Sequence, residues 1–246
     1  MLPYVTFELR RTLRNPRFLI MTMFLPIAMN IVFVQLNGSR LPAEQLQTFA
    51  TGYMMNMAAF ATVSACLSTA GNRLAQERGS GWFSYLTLTP LRPIDIVGGK
   101  IISAIVVGVP AMLGVFASGV LVNHVPFSAT HLVLALAIVV LGSTVFAALG
   151  VVIGLLTRQE TSYAAAMVAL MFFSIIGGLW MPREMLPDWL GQVTTYTPSF
   201  QIAETGKNIM TGLAGIPAQA VTVFAAWTAA FVALALLAFR RSATSR

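Results

Sequence analysis

Long uncharged apolar stretches separated by short polar segments run through most of this sequence. A helix crosses the ~30 Å hydrocarbon core of a membrane with about 20 apolar residues. The pattern therefore predicts an all-α fold, a polytopic membrane protein whose six transmembrane helices form a single domain over residues 1–246. The predicted spans are residues 18–37, 49–71, 101–122, 131–156, 162–181 and 218–239.

The shape of these stretches favours helices over the strands of a membrane barrel. Barrel strands alternate apolar and polar residues over about ten positions, whereas residues 101–109 and 133–141 are apolar on every side. A helix also satisfies its own backbone hydrogen bonds inside lipid. Pro26 and Pro110 interrupt the first and third predicted spans, which membrane helices tolerate.

The composition excludes several classes of protein. Hydrophobic residues make up 57% of the chain and charged residues only 9%, against roughly 25% charged in an ordinary soluble domain. There is too little polar surface to cover a soluble fold, so a soluble enzyme, a disordered chain and a nucleic-acid-binding domain are excluded. The single cysteine, Cys66, and the two histidines predict no metal site, and we interpret Cys66 as a small buried hydrophobe.

The basic residues orient the predicted spans. Twelve of the 15 lie on the side that receives both predicted termini, the loop between spans 2 and 3 and the turn between spans 4 and 5. The positive-inside rule makes this side cytoplasmic, which predicts a multi-pass protein of the cell membrane with both termini in the cytoplasm. The net charge of +7 divides into +8 inside and −1 outside, so it indicates topology and no nucleic-acid partner.

The N-terminal residues 1–17 have an amphipathic pattern at helical spacing. This pattern predicts an interfacial helix along the inner leaflet, and a solvated basic tail is the alternative. Its apolar face would hold Leu2, Val5, Leu9 and Leu13, and another face Arg10, Arg14 and Arg17.

Two polar loops carry more apolar side chains than solvent-exposed loops normally do. In the predicted cytoplasmic loop, residues 72–100, aromatic and leucine side chains cluster between Trp82 and Leu91. They either lie among lipid headgroups or fill a groove on a cytoplasmic partner. In the predicted outer loop, residues 182–217, the spacing around Trp189 favours an amphipathic element at the outer interface, with an ordinary wet loop as the alternative.

Both loops resemble those of a known family. The pattern Glu77-Arg78-Gly79, Leu86-Thr87, Thr89-Pro90-Leu91 and Gly99-Lys100 resembles the membrane subunit of ABC-2-type exporters, a drug-export-like bacterial permease. Prolines and a tryptophan follow the fifth span in the order that this family uses. These outer positions are Pro182, Pro187, Trp189 and Pro198.

The resemblance, which covers essentially the full length, implies roles for both loops and for two spans. Residues 72–100 would be the coupling loop that docks on the ATP-hydrolysing subunit, residues 182–217 would form short helices at the outer face, and spans 2 and 5 would line the central interface. The implied coupling residues are Glu77, Arg78, Gly79, Trp82, Tyr85, Leu86, Thr89, Pro90, Leu91 and Arg92.

Helical periodicity then selects a candidate substrate pathway. Asn56, Phe60 and Ser64 share one face of span 2. Met167, Met171 and Ser174 share one face of span 5. Close packing between membrane helices, which also uses small polar side chains and glycines, is the alternative interpretation. Gly142, Gly150, Gly154, Gly177 and Gly178 are interpreted in that way.

Motifs that are missing from the sequence limit the reactions and cofactors that this chain could support. No G-x-x-x-x-G-K-[ST] phosphate loop occurs in the sequence, so the chain is predicted to bind no cofactor and to be no enzyme by itself. ATP and Mg²⁺ would be held by a separate ATPase subunit. No Asp, Glu, Lys or Arg falls within the apolar windows, which argues against intramembrane catalysis and ion-coupled transport.

The predicted function is the permease subunit of an ATP-driven exporter that moves a small amphipathic drug, antibiotic or lipid-like substrate out of the cell. Predicted partners are the ATPase, membrane lipids, and a second copy of the chain in a two-plus-two assembly or a paralogous permease. Three alternatives remain: a non-transporting scaffold or sensor subunit, an exporter of a glycan or lipid-linked carrier, and a secondary carrier driven by a proton gradient.

Overall fold

The computed structural model describes Thr6 and residues 16–81, 92–180 and 187–244. Every regular element within these ranges is helical, which confirms the all-α class. Most of the predicted interfacial helix, residues 1–17, lies outside the described residues. The elements are α1 (Pro16–Gly38), α2 (Ala43–Cys66), a π-helical segment (Leu67–Asn72), α3 (Arg73–Gly79), α4 (Pro93–Leu121), α5 (Ala129–Leu156), α6 (Gln159–Ile176), α7 (Asp188–Thr194), α8 (Pro198–Met210) and α9 (Ala218–Thr244).

Four helices in the described part of the chain are long and apolar enough to cross a membrane. Residues Thr22–Gly38 of α1 form a shorter apolar helix, and α2 begins with polar turns that contain Glu44 and Gln45. The chain is therefore a multi-pass membrane protein. The four helices are Ile94–Leu121, Ala129–Leu156, Gln159–Ile176 and Ala218–Arg240.

Several helices begin or end away from the predicted bounds. Residues 73–79 and 93–100 of the predicted cytoplasmic loop are helical, and α4 begins at Pro93 because a capping box forms there. The backbone N–H of Arg92 donates to the Asp95 carboxylate at 3.2 Å, and proline suits the first helical position. The helix α6 ends at Ile176, five residues before the predicted end, where Gly178 takes a φ of +67°.

The helices α2 and α3 and the π-helical segment between them form one unbroken helix from Ala43 to Gly79. Its π-helical part packs against α5 at Gly150 and Gly154. A Cβ added at Gly150 would lie 2.8 Å from the Ala70 Cβ, so the two backbones approach where neither carries a large side chain. This confirms the prediction that these glycines allow close helix contact, and Cys66, on the same helix, is fully buried as predicted.

The short helix α8 packs within the bundle against α2 and α5. Two glycines make room for it: Gly206 lies under the Met55 side chain, and Gly142 of α5 lies under Ile202. One face of α8 is buried, while Glu204 and Lys207 stay partly exposed. This insertion brings a charged helix into contact with the N-terminal half of α2.

Replacing Gly154 with Ala is expected to destabilise the protein by about 1–3 kcal/mol, the usual cost of overpacking. The new Cβ would lie 2.7 Å from the Leu74 Cβ and 2.8 Å from the Gly71 carbonyl oxygen, and a backbone oxygen cannot rotate away. The matched control is Gly215→Ala, where no heavy atom lies within 4 Å of the added Cβ. Thermal unfolding in detergent measures both, and equal melting temperatures would contradict the packing argument.

Candidate functional site

Two candidate functional regions lie at opposite ends of the long helix Ala43–Gly79. We call the first the elbow: α3 together with Lys100 of α4 and the C-terminal carbonyls of α5. We call the second the aromatic pocket, a cavity between α1, α2, α8 and the turn after α6. About 21 residues of helix separate Asn56 in the pocket from Glu77 in the elbow, which corresponds to roughly 30 Å.

A buried ion pair joins α3 to α4 in the elbow. The Lys100 Nζ lies 2.8 Å from Glu77 Oε1 and 2.7 Å from Oε2. Both side chains are only 3% exposed. Taking two charges out of water is costly and is offset only by close contact between them. The Glu77 carboxylate is therefore engaged within the chain and holds α3 against the third turn of α4.

Arg78 attaches the elbow to the C-terminal end of α5. Its guanidinium donates to the carbonyl oxygens of Gly154 at 3.1 Å, of Thr157 at 3.4 Å and also of Leu155. The last carbonyls of a helix have no partner within it, and a cation at this end also complements the helix dipole. Arg78 thus caps α5 from a neighbouring helix.

Replacing Arg78 with Met is expected to destabilise the end of α5 by about 1.5–3 kcal/mol, the range for hydrogen bonds to a charged group. Hydrogen–deuterium exchange at residues 150–158 should rise, and the melting temperature in detergent should fall. Arg78→Lys should restore only part of the lost stability, because one ammonium cannot reproduce the planar guanidinium fork. Arg158→Met is the control, since Arg158 is exposed at the start of α6. Unchanged exchange in the Arg78 variant would contradict the capping role.

Gly79 completes the elbow at the start of α6. A Cβ added there would lie 2.7 Å from the Gln159 Oε1. The elbow therefore touches α4, α5 and α6 at one end of the bundle and immediately precedes residues 82–91. Arg92, on the other side of that segment, is exposed before the first turn of α4. The other implied coupling residues, Trp82, Tyr85, Leu86, Thr89, Pro90 and Leu91, lie outside the described residues.

The aromatic pocket has a volume of about 940 Å³. Its floor is aromatic: the Tyr53 ring stacks on Phe33 at 5.2 Å and on Phe49 at 5.7 Å between ring centroids. Trp180 lines it from the turn after α6. Its charged lining residues are Glu44, Glu204 and Lys207. The pocket thus combines aromatic surface with charged side chains of both signs.

The structure brings only part of the predicted pathway to this pocket. Asn56 lines it, and Phe60 contacts its Trp180 in an edge-to-face pair at 5.3 Å. Ser64 lies further along α2 and is half-buried. The three candidates on α6 do not line the pocket. Met167 is exposed and Met171 is half-buried. Ser174 is buried, and its hydroxyl has no hydrogen-bond partner among the described residues.

The implied outer positions fall on two short helices. Pro187 directly precedes α7, where Trp189 is 68% exposed. Pro198 is buried in the first turn of α8. Pro182 lies outside the described residues. The structure therefore separates an exposed tryptophan on α7 from a buried proline that starts the inserted helix.

Sequence patterns do not reveal the Glu77–Lys100 pair or, apart from Asn56, the lining of the pocket. The available signal for the pair is that each residue is ionisable and borders a long apolar stretch, where a charge needs a partner. No comparable signal exists for the pocket, because its walls come from segments that are distant in the sequence.

Comparisons with known proteins identify a matching family and similar permeases. A family model described as ABC-2 family transporter protein matches residues 21–237. The chain is similar to YvfS of Bacillus subtilis strain 168, named as a transport permease: 28% identity over 205 residues, covering 83% of each chain. It is also similar to YbhR of Escherichia coli K12, named as a multidrug ABC transporter permease: 24% identity over 136 residues, covering 55% of this chain and 37% of YbhR.

Proposed function

This multi-pass membrane chain belongs to the ABC-2 family of transporter proteins, and from that membership we propose that it is the permease subunit of an ATP-driven exporter. It carries a small amphipathic drug, antibiotic or lipid-like substrate out of the cell. A separate ATPase subunit binds ATP and Mg²⁺ on the cytoplasmic side. Two copies of the permease and two ATPases form the complex, with six spans in each permease and both of its termini in the cytoplasm.

The unbroken helix from Ala43 to Gly79 is the observation that carries this proposal. One end lines the aromatic pocket, and the other end is the elbow that precedes residues 82–91. A push on the elbow moves α3 together with α4 and α5, because the Glu77–Lys100 pair and the Arg78 cap join these helices. Such a joint carries the motion of an ATPase bound at residues 82–91 to the pocket.

The π-helical segment Leu67–Asn72 lies between these two ends. Single π-helical turns inside α-helices often accompany functional sites and bends. Here the segment packs on the glycines of α5. A change in its geometry would shift the elbow relative to the pocket, because the segment lies between them. We propose this segment as the place where the long helix adjusts during transport.

Reconstitution into vesicles tests the function. The permease is co-expressed with its proposed ATPase subunit, and the complex is purified. ATP-dependent uptake of a fluorescent amphipathic dye and a fluorescent phospholipid is then measured in inside-out proteoliposomes. An ATPase whose phosphate-loop lysine is replaced with alanine is the control. Uptake driven by a proton gradient without any ATPase, or ATP hydrolysis that drives no uptake of either probe, would contradict the proposal.

A further inference from the structure

We propose that the aromatic pocket binds monovalent amphipathic organic cations that carry an aromatic or bulky apolar body. This names the substrate class of the exporter and so rests on the proposed function, although binding itself requires no ATPase. The volume of about 940 Å³ falls at the upper end of the range for small-molecule sites. One drug-sized molecule therefore fits with room for its bound water.

The floor of the pocket suits an apolar body. Tyr53 is 7% exposed, and Phe33, which stacks on it, is 38% exposed, so the floor is only partly shielded from water. Phe33 and Phe49 both stack on Tyr53, so the three rings form one aromatic cluster. Such a cluster attracts apolar groups, and a ring face that no other ring covers also attracts cations.

The rim of the pocket is polar and wet, with an excess of negative charge. Glu44, Gln45 and Thr48 are exposed, and the side chains of Glu204 and Lys207 are 39% and 31% exposed. Lys207 lies 3.4 Å from Glu204 and largely neutralises it. Glu44 forms no ion pair with any residue that the structure describes. Two carboxylates against one ammonium favour a cationic headgroup over an anionic one.

The lysine is held by packing as well as by charge. The Lys207 side chain runs over Gly52, where an added Cβ would lie 3.3 Å from its Cδ. Its ammonium lies 3.4 Å from the Glu204 carboxylate on the same helix, at the lining of the pocket. An anion would have to pull the Lys207 ammonium away from Glu204 in order to bind it. A cation can bind the carboxylates of Glu44 and Glu204 without breaking this pair.

Tetraphenylphosphonium and tetraphenylborate are the probes, because they share size and aromatic surface and differ in the sign of their charge. Binding to the purified full chain is measured by equilibrium dialysis in detergent, with protein-free micelles as the blank. Tetraphenylphosphonium should bind saturably. The double substitution Glu44→Gln/Glu204→Gln should weaken its binding roughly tenfold without weakening that of tetraphenylborate.

Matched variants separate the site from general effects on the protein. Glu160→Gln removes an exposed carboxylate of α6 outside the pocket and should change neither affinity. Trp180→Leu should weaken tetraphenylphosphonium binding, while Trp189→Leu on α7 should not. Melting temperatures of all four variants check that folding is intact. Equal loss of both probes in the Glu44/Glu204 variant, or no loss of tetraphenylphosphonium, would overturn the proposed cation selectivity.

The two proposals fail in different ways. Absence of tetraphenylphosphonium binding, with intact ATP-driven uptake of the fluorescent dye, overturns the pocket assignment and leaves the exporter function standing. Saturable binding without ATP-driven uptake of any probe overturns the exporter function and leaves the cation site standing.

Discussion

Replacing Glu77 with Gln is expected to destabilise the protein by about 3–5 kcal/mol, the cost of removing one partner of a buried pair, and to abolish ATP-driven uptake. Glutamine keeps the size of the side chain but removes the charge that neutralises Lys100, 2.7 Å away and 3% exposed. The joint between α3 and α4 then loosens at the point where the proposed ATPase pushes. Thermal unfolding in detergent and uptake by proteoliposomes measure the two effects.

The half-exposed pair Lys207–Glu204 provides a matched comparison for stability. Breaking it with Lys207→Gln should change the free energy of unfolding by about 1 kcal/mol or less, because solvent screens these side chains. The double variant Glu77→Gln/Lys100→Met should regain much of the lost stability, since it leaves no buried charge. ATP-driven uptake by this double variant should stay low, because neutral side chains do not form the ion pair that joins α3 to α4. A wild-type melting temperature for Glu77→Gln would contradict the role of the pair.

Replacing Trp82 with Ala is expected to weaken binding of the ATPase subunit roughly 30-fold, as for an aromatic anchor worth about 2 kcal/mol. Trp82 lies outside the described residues, and the prediction follows from the family resemblance and from the position of the elbow just before it. Membrane insertion and the melting temperature of the isolated permease should not change. Binding of the purified ATPase to the reconstituted permease is the measurement.

An exposed tryptophan on another element is the control for this substitution. Trp189 of α7 is 68% exposed, and Trp189→Ala should leave ATPase binding and uptake unaltered. Equal ATPase affinity in the Trp82 variant and the wild type would favour the alternative, in which the aromatic residues lie among lipid headgroups. Loss of affinity in both variants would point to a general effect of tryptophan removal and would also contradict the coupling role of residues 82–91.

Helix positions followed from the sequence better than helix ends. Apolar length placed α4, α5, α6 and α9, because a long uncharged stretch has few other stable structures in lipid. The apolar pattern does not show the early start of α4, although Pro93 and Asp95 together are typical of a helix start. The end of α6 at Ile176 depends on the φ of Gly178, which an apolar pattern that continues to Trp180 does not reveal.

The candidate sites were harder to predict than the helices. The family resemblance implies that Glu77 and Arg78 face a partner subunit, and that role stays a prediction. In the structure their side chains contact Lys100 and the end of α5. Their role in coupling is therefore proposed to be the positioning of α3. Periodicity placed Asn56 and Phe60 on one face of α2, and that face does reach the aromatic pocket, Asn56 directly and Phe60 through Trp180.

Apolar length and local motifs are properties of short segments, so they are enough to predict that this chain is helical, crosses a membrane several times and is related to ABC-2 transporters. Three contacts become visible only in the folded chain: Glu77 pairs with Lys100, Arg78 caps α5, and α8 enters the bundle beside α2. These contacts join residues far apart in the chain, and local patterns show that a charge needs a partner without showing which one it finds.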